Sequence, residues 1–286
     1  MPATRRACIA IEEPESHLHP RAIHELRQVL EQLAQKHQVV VTTHCPLFVN
    51  RARLRSNIVV NNNRAHPAKS VNEVREILGV RASDNLRHAD LVLLVEGEED
   101  KIVMDAILRD CSSILRTALD SGLIVVDCLG GASNLSYKAS LIRDALCSVH
   151  CFLDGDIAGL KAFAAAKEQG VLSDAEAHLA LCDGKKEAEI EDLFLPDIYA
   201  SMLKNRYGVN LSTASFRNSK KWSTRMRDTF TKQGKPWNEN VEMEVKRQVA
   251  RLVAGSASKA LIPAHRSVID SLTEALEMRL SQIPQA

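Results

Sequence analysis

Two carboxylates one residue apart end an apolar run in the segment CSVHCFLDGDIAG. Asp154 and Asp156 follow directly on Phe152 and Leu153. Side chains at i and i+2 of an extended chain point the same way, so the two acids repel. Burying either one without compensation costs several kcal/mol. A divalent cation held by oxygen ligands removes both costs. A second apolar run, LVLLVEGEED, ends in Glu96, with Asp100 one helical turn further on. Glu191 and Asp192, in EIEDLFLP, form a third acidic group. Taken singly, each acid also suits a helix N-terminus, a loop edge or a solvated turn. Taken together, acids from three separated segments make an oxygen-rich set that suits Mg²⁺ or Mn²⁺ and not zinc. With two ions bound, such a set can clamp the attacking and leaving oxygens of a phosphodiester.

The elements that position these acids alternate between strand and helix. Ala7–Ile11 reads as a buried strand ending in Glu12 and Glu13. Pro20 opens a helix with Ile23, Leu26, Leu30 and Leu33 on one face. QVVVTT, from Gln38, is a β-branched strand that ends at His44. Asn57–Val60 is a further strand, followed by a polar loop, and residues 73–90 read as a helix and a linker. A second unit begins at Leu91. Its strands end at Glu96, at Leu129 before Gly130 and Gly131, at Asp154, and near Cys182. Helices fall over Asp100–Arg109, over Leu135–Cys147 and from Ala158 onward. Strands alternating with helices through short joins imply a parallel sheet. Ligands of such sheets collect at the carboxyl ends of the strands, where Glu96, Asp154 and Asp156 lie. From about 194 to 253 the chain reads as helical and polar, and there is no internal repeat.

The 286 residues suffice for one large domain or two ordinary ones. The 37 basic and 36 acidic side chains nearly cancel, so any nucleic-acid site must be a local patch. Seven cysteines include no C-x-x-C pair, which disfavours a zinc site and fits reduced thiols in a cytoplasmic protein. MPATRRACIAIEEPE lacks the apolar core of a signal peptide. No apolar run approaches the ~18 residues of a membrane span.

LLVEGEED and FLDGDIAG, in that order and each at a strand end, resemble the two motifs of a Toprim domain. CLGGASN stands between them, where that family has a glycine-containing loop. The resemblance implies a Rossmann-like parallel sheet flanked by helices. It implies that Glu96 acts at the scissile phosphate or on a metal, and that Asp154 and Asp156 bind divalent metal.

The first fifty residues carry a second resemblance. CIAIEEPESHLHP is similar to the Walker B region of an ATP-binding-cassette ATPase, with Glu12 and Glu13 at the Mg²⁺-holding and water-polarising positions. VVVTTHCPLF resembles the switch-histidine strand, with His44 as the γ-phosphate sensor. A Walker A loop, G-x-x-x-x-G-K-[ST], is missing, as is L-S-G-G-Q. ATP binding and hydrolysis are therefore expected only of a longer protein, of which this chain resembles the C-terminal portion. An ATPase half followed directly by Toprim is the arrangement of the overcoming-lysogenization-defect (OLD) family nucleases. IEEPESHLHP and EIEDL are close to that family's wording. The resemblance implies metal-dependent DNA cleavage, with an ATPase part that regulates or homodimerises, an association with phage defence, and Asp100 and Glu191 as further metal ligands.

The expected architecture is thus α/β. Residues 1–70 form the end of an ATPase domain, 71–90 a linker, 91–195 the Toprim domain, 196–255 a helical insertion and 256–286 a helical part completing Toprim. The family pattern places a catalytic lysine beyond the insertion, and Lys259 is the first choice, ahead of Lys220 or Lys221. The basic run RNSKKWSTRMRDTFTKQGK contributes Arg217, Lys220, Lys221, Arg225 and Arg227 as candidate DNA contacts. Trp222 and Trp237 are either base-stacking platforms or core anchors. The expected function is Mg²⁺- or Mn²⁺-dependent endonucleolytic cleavage of DNA, with two ions. The alternatives are a non-catalytic regulatory or dimerisation module and a primase- or topoisomerase-like Toprim protein. Tyr137, Tyr199 and Tyr207 stand in no context typical of a topoisomerase nucleophile, and the cysteine spacing offers no primase zinc module.

Overall fold

The computed structural model describes residues 6–18, 20–50, 53–61, 63–79 and 89–282. The chain begins with β1 (Cys8–Glu12), α1 (Pro20–Ala34) and β2 (Gln38–Thr42). β1 and β2 pair in parallel, with Glu12 opposite Thr42. β3 (Ile58–Asn61) and β4 (Arg64–Pro67) form an antiparallel hairpin. The sequence reads as a polar loop after the strand at 57–60. The hairpin forms because Asn63 takes a left-handed conformation (φ 58°), which asparagine tolerates, and β4 needs no apolar run at an exposed edge.

α2 (Val71–Leu78) is capped by Ser70, whose hydroxyl accepts the Glu73 amide, and stops at left-handed Gly79. The linker expected at 71–90 is therefore helical in its first part, and its residues 80–88 lie outside those described. Arg75 ties α2 to the larger, C-terminal part of the chain. This buried guanidinium donates to the carbonyls of Ala145 (2.9 Å) and Ala89 (3.0 Å).

The larger part contains β5 (Leu91–Val95), α3 (Glu98–Cys111), α4 (Ser113–Asp120) and β6 (Ile124–Cys128). It continues with α5 (Leu135–Asp144), β7 (Ser148–Asp154), α6 (Ile157–Glu168) and β8 (Ala177–Ala180). Four helices complete it: α7 (Asp197–Tyr207), α8 (Trp222–Lys232), α9 (Glu239–Ser256) and α10 (Arg266–Ser281). The sheet order is β6-β5-β7-β8, all parallel. This parallel sheet with helices on both faces is the Toprim-like α/β architecture the sequence leads one to expect.

All five residues of β5 are fully buried, as a strand covered on both faces must be. Leu91, Leu93 and Val95 point into a core shared with Met104 of α3, Leu115 of α4, Tyr199 of α7, Trp222 of α8, Val245 of α9 and Ile269 of α10. Val92 and Leu94 point into the opposite core, with Leu135 of α5 and Ala166 of α6. Each of these leucines gains about 1.5–3 kcal/mol from burial. The strand is thereby fixed in register, and so is the rim at its carboxyl end. The helical stretch expected over 194–253 is interrupted between α7 and α8 by an irregular segment, residues 209–221. No helix among the described residues is long and apolar enough to cross a membrane, and none of the seven cysteines is in a disulfide.

Candidate metal centre

The acids of the sheet converge. Glu96 directly follows β5, and Asp154 ends β7, the parallel neighbour of β5. The Glu96 side chain crosses to β7, where Oε1 accepts the amide of Asp154 at 3.0 Å. Asp154 Oδ1 in turn accepts the amide of Ile190 at 2.9 Å, which draws in the turn over residues 190–193. Asp156 caps α6 by accepting the Gly159 amide at 2.9 Å. Asp100 caps α3 by accepting the Gly97 amide at 2.8 Å.

Two glycines permit this closeness. A Cβ at Gly155 would lie 2.3 Å from the Ala180 carbonyl oxygen of β8. A Cβ at Gly159 would lie 2.3 Å from the Asp154 carbonyl oxygen and 3.0 Å from Glu96 Oε1. The motif Asp-Gly-Asp-x-x-Gly therefore needs both glycines for backbone approach.

Ligand oxygens of Asp154, Asp156 and Glu189 lie within 4.8 Å of one another. Glu191 stands beside Glu189 in the same turn, buried, with Oε1 3.3 Å from Lys246 Nζ. Sequence reasoning named Glu191 and passed over Glu189. A signal was present. Glu189 and Asp192 form a capping box, in which the Glu189 amide donates to Asp192 Oδ2 (2.9 Å), and this orients the turn.

The charges divide into two groups, each with a lysine. Lys221 Nζ lies 2.8 Å from Asp156 Oδ2 and 3.1 Å from Glu189 Oε1. Burial alone would raise the pKa of Asp156, but the Lys221 ammonium and the Gly159 amide hold it below the usual range. Glu189 is likewise lowered against its burial by Lys246, the Ser223 amide and Lys221. On the other side, burial and then the charges of Asp100, Glu191 and Glu96 push Asp154 well up. Burial also raises Glu96 and Asp100. Glu191 is raised to about 7 by burial, against the pull of Lys246 and with the push of Glu189 and Asp100. Lys246 loses solvation by burial, yet Glu191, Glu189, Asp154 and Asp100 more than offset this and hold its pKa above the usual lysine value.

Lys246 was not expected from the sequence. It lies three and four residues before Val249 and Ala250, both buried, so it shares the inward face of α9. Lys259, the expected lysine, is exposed in a short 3-10 turn after α9. Its neighbour Ser258 donates its amide to Asp110 Oδ2 at 3.1 Å. Asp110 is ten residues along α3 from Asp100, about 15 Å by helix rise. Lys259 therefore lies at the far end of that helix from the acids.

The basic run divides as well. Arg225 is buried, paired with Asp192 at 2.5 Å and stacked 4.4 Å over the Phe216 ring. Trp222 is fully buried and donates to the Tyr199 hydroxyl at 3.1 Å, so it is a core anchor and no base platform. Trp237 packs edge-on against Phe230 at 4.7 Å. Lys221 is engaged with the acids. Lys220 and Arg227 are exposed around Asp228, at 2.8 and 3.9 Å. Arg217 is exposed. These side chains do not form one open basic face, because the buried ones answer acids of the sheet rim.

In the N-terminal segment the parallel pairing of β1 with β2 brings Glu13 and His44 together. Their Oε1 and Nε2 atoms are 3.6 Å apart, and both side chains are largely exposed. Glu12 ends β1. Glu13 holds a left-handed backbone (φ 40°), a conformation that costs a non-glycine residue about 1 kcal/mol or more.

Residues 2–50 match a family model described as "AAA domain, putative AbiEii toxin, Type IV TA system". Both the IEEPE strand and the His44 strand fall within that span. Two solved structures of the C-terminal region of the Xanthomonas campestris pv. campestris OLD protein are similar to this chain, one phased with platinum and one with mercury. Each is 15% identical, with TM-scores of 0.36 and 0.34. The matches cover 69% and 67% of this chain and 98% of each of those chains. No curated protein matches the sequence.

Proposed function

We propose that this chain is the nuclease portion of an OLD-family protein, a Mg²⁺- or Mn²⁺-dependent endodeoxyribonuclease of the Toprim type. The observation that carries this reading is the meeting of Asp154, Asp156 and Glu189 at one sheet edge, their oxygens within 4.8 Å of one another. The donors suit a hard divalent ion, since all are carboxylate oxygens. Glu191 Oε2, close by, is buried without a hydrogen-bond partner, a state that calls for an explanation in a folded protein. Asp154, Asp156 and Glu189 would hold one ion, and Glu96, Asp100 and Glu191 a second. Bound there, divalent ions lower the pKa of an attacking water and offset the charge gathering on the phosphate oxygens.

The chain's own groups prepare that chemistry. The amides of Asp154, Gly97 and Ile190 fix the carboxylates of Glu96, Asp100 and Asp154 in orientation before any substrate arrives. The Lys246 ammonium, held among acids, supplies a fixed positive charge for a transition state more negative than the substrate. In the same reading Glu13 and His44 belong to the ATPase-type segment.

One observation favours a second reading. Lys221 already bridges Asp156 and Glu189, so the acids could form a structural ion-pair cluster in a non-catalytic module. Calorimetric titration with Mn²⁺ separates the two, because the structural cluster binds no ion. The nuclease reading predicts nicking of supercoiled plasmid by the full chain with Mn²⁺ or Mg²⁺, lost in Asp154→Ala. Cleavage that survives this substitution rules the mechanism out.

A further inference from the structure

The segment between α7 and α8 lines a cavity of about 490 Å³. Lys185, Arg217, Asn218, Ser219 and Arg225 contribute to its wall. The cavity is open to solvent beside Arg217, whose exposed side chain forms no ion pair among the described residues. Arg225, also on the wall, is buried; it donates to the Phe216 carbonyl at 3.2 Å and pairs with Asp192. Lys185 completes the cationic side. Its ammonium lies 3.2 Å from Asp192 Oδ1 and donates to the Lys220 carbonyl at 3.0 Å. Three cations thus meet here against Asp183 on the wall and Asp192 behind it. A concave wall that presents the exposed Arg217 guanidinium beside two further cations is suited to a phosphate oxygen.

The cavity is linked to the acids. Asp192 accepts from Arg225 and lies by Lys185 on the cavity side, and its other oxygen accepts the amides of Glu189 (2.9 Å) and Trp222 (3.0 Å). Four residues after Arg217 comes Lys221, which touches Asp156 and Glu189. An anion bound on the Arg217 side is therefore one carboxylate away from the proposed metal ligands.

We propose that this cavity is a phosphate subsite that grips a backbone phosphodiester of the substrate strand, with Arg217 as its outer, solvent-facing contact. The assignment rests on the nuclease reading for the identity of the strand, but the binding itself needs no metal. Arg217 is exposed, so its replacement leaves the packed interior intact.

The test is fluorescence anisotropy of a labelled DNA duplex with the full chain in EDTA, over 50–200 mM NaCl, comparing the parent with Arg217→Gln. Losing one phosphate contact lowers the slope of log affinity against log salt by about 0.9 for duplex DNA. The parent's advantage over Arg217→Gln should therefore shrink by about 3-fold across that salt range, equally for unrelated sequences. Lys220→Gln, which alters a lysine already paired with Asp228, serves as the comparison variant. An unchanged slope in Arg217→Gln, or a slope change confined to Lys220→Gln, overturns the subsite. Asp154→Asn keeps the two ideas apart. If it still cleaves while the Arg217 slope change is present, the proposed metal mechanism fails and the subsite stands. If it abolishes cleavage while the Arg217 slope is unchanged, only the subsite fails.

Discussion

Glu191→Gln replaces a buried carboxylate with a neutral group of nearly the same shape. In the folded protein the Glu191 carboxyl is raised from 4.5 to about 7, chiefly by burial. A raised acid pKa means the folded state binds the proton more tightly than the unfolded chain. Glu191 is therefore neutral and without penalty below about pH 4.5, and its contribution worsens as pH climbs toward 7. By pH 8 the ionised side chain costs the fold about 3 kcal/mol, whereas at pH 5 the cost is about 1 kcal/mol. Glutamine mimics the protonated form and escapes this penalty. In EDTA, Glu191→Gln should thus be more stable than the parent by about 3 kcal/mol at pH 8, with the difference falling to about 1 kcal/mol at pH 5. Urea unfolding at several pH values measures it. The same substitution removes a proposed metal ligand, so added Mn²⁺ should stabilise the parent more than the variant. A variant less stable than the parent at pH 8, or a difference that ignores pH, refutes the argument that burial and crowding strain this carboxylate.

The two candidate lysines give opposite expectations. Lys246→Met should lower plasmid cleavage by about 10²–10³-fold, while Lys259→Ala, an exposed change, should alter stability by less than about 0.5 kcal/mol and leave cleavage in place. A quantified nicking time course with both variants decides between the helix-facing and the exposed lysine. Gly155→Ala puts a methyl 2.3 Å from the Ala180 carbonyl, so β7 and β8 must part. Thermal unfolding should show a loss of about 2 kcal/mol, and a change below about 0.5 kcal/mol would mean that the strand ends are not held this closely.

The parallel sheet and most of its rim were legible because each strand is a near-continuous apolar run that stops at an acid or a glycine. Val95 to Glu96 and Leu153 to Asp154 are such boundaries, and both lie at the strand ends in the structure. Helix limits were less legible. α3 extends from Glu98 to Cys111, and α4 follows it separately, because Ser112 ends one helix and caps the next. The lysine was illegible in kind. Lys246 stands beside Arg247 in a charged helical stretch and Lys259 in a stretch without acids, and neither setting reveals a partner. Only the packing of α9 against α3 distinguishes the one facing acids from the one facing solvent. Arg225 and Trp222 were read within a basic run, but one is neutralised by Asp192 and the other fills the core. Both effects depend on partners about thirty residues distant, and no local pattern encodes them. The β3–β4 hairpin was missed because its second strand, Arg64–Pro67, has no apolar alternation to reveal it.

The negative rim and its neutralising cations have different origins in the chain. Glu96 and Asp154 lie at strand ends and Glu189 comes after the last strand, whereas Lys221 comes from the entrance to α8 and Lys246 from α9. The helical appendage is therefore half of an electrostatic whole. Trimmed back to its sheet, the protein would expose a cluster of mutually repelling carboxylates with nothing to balance them. Changes in the helices could in turn retune how tightly the sheet edge takes up its counter-charge.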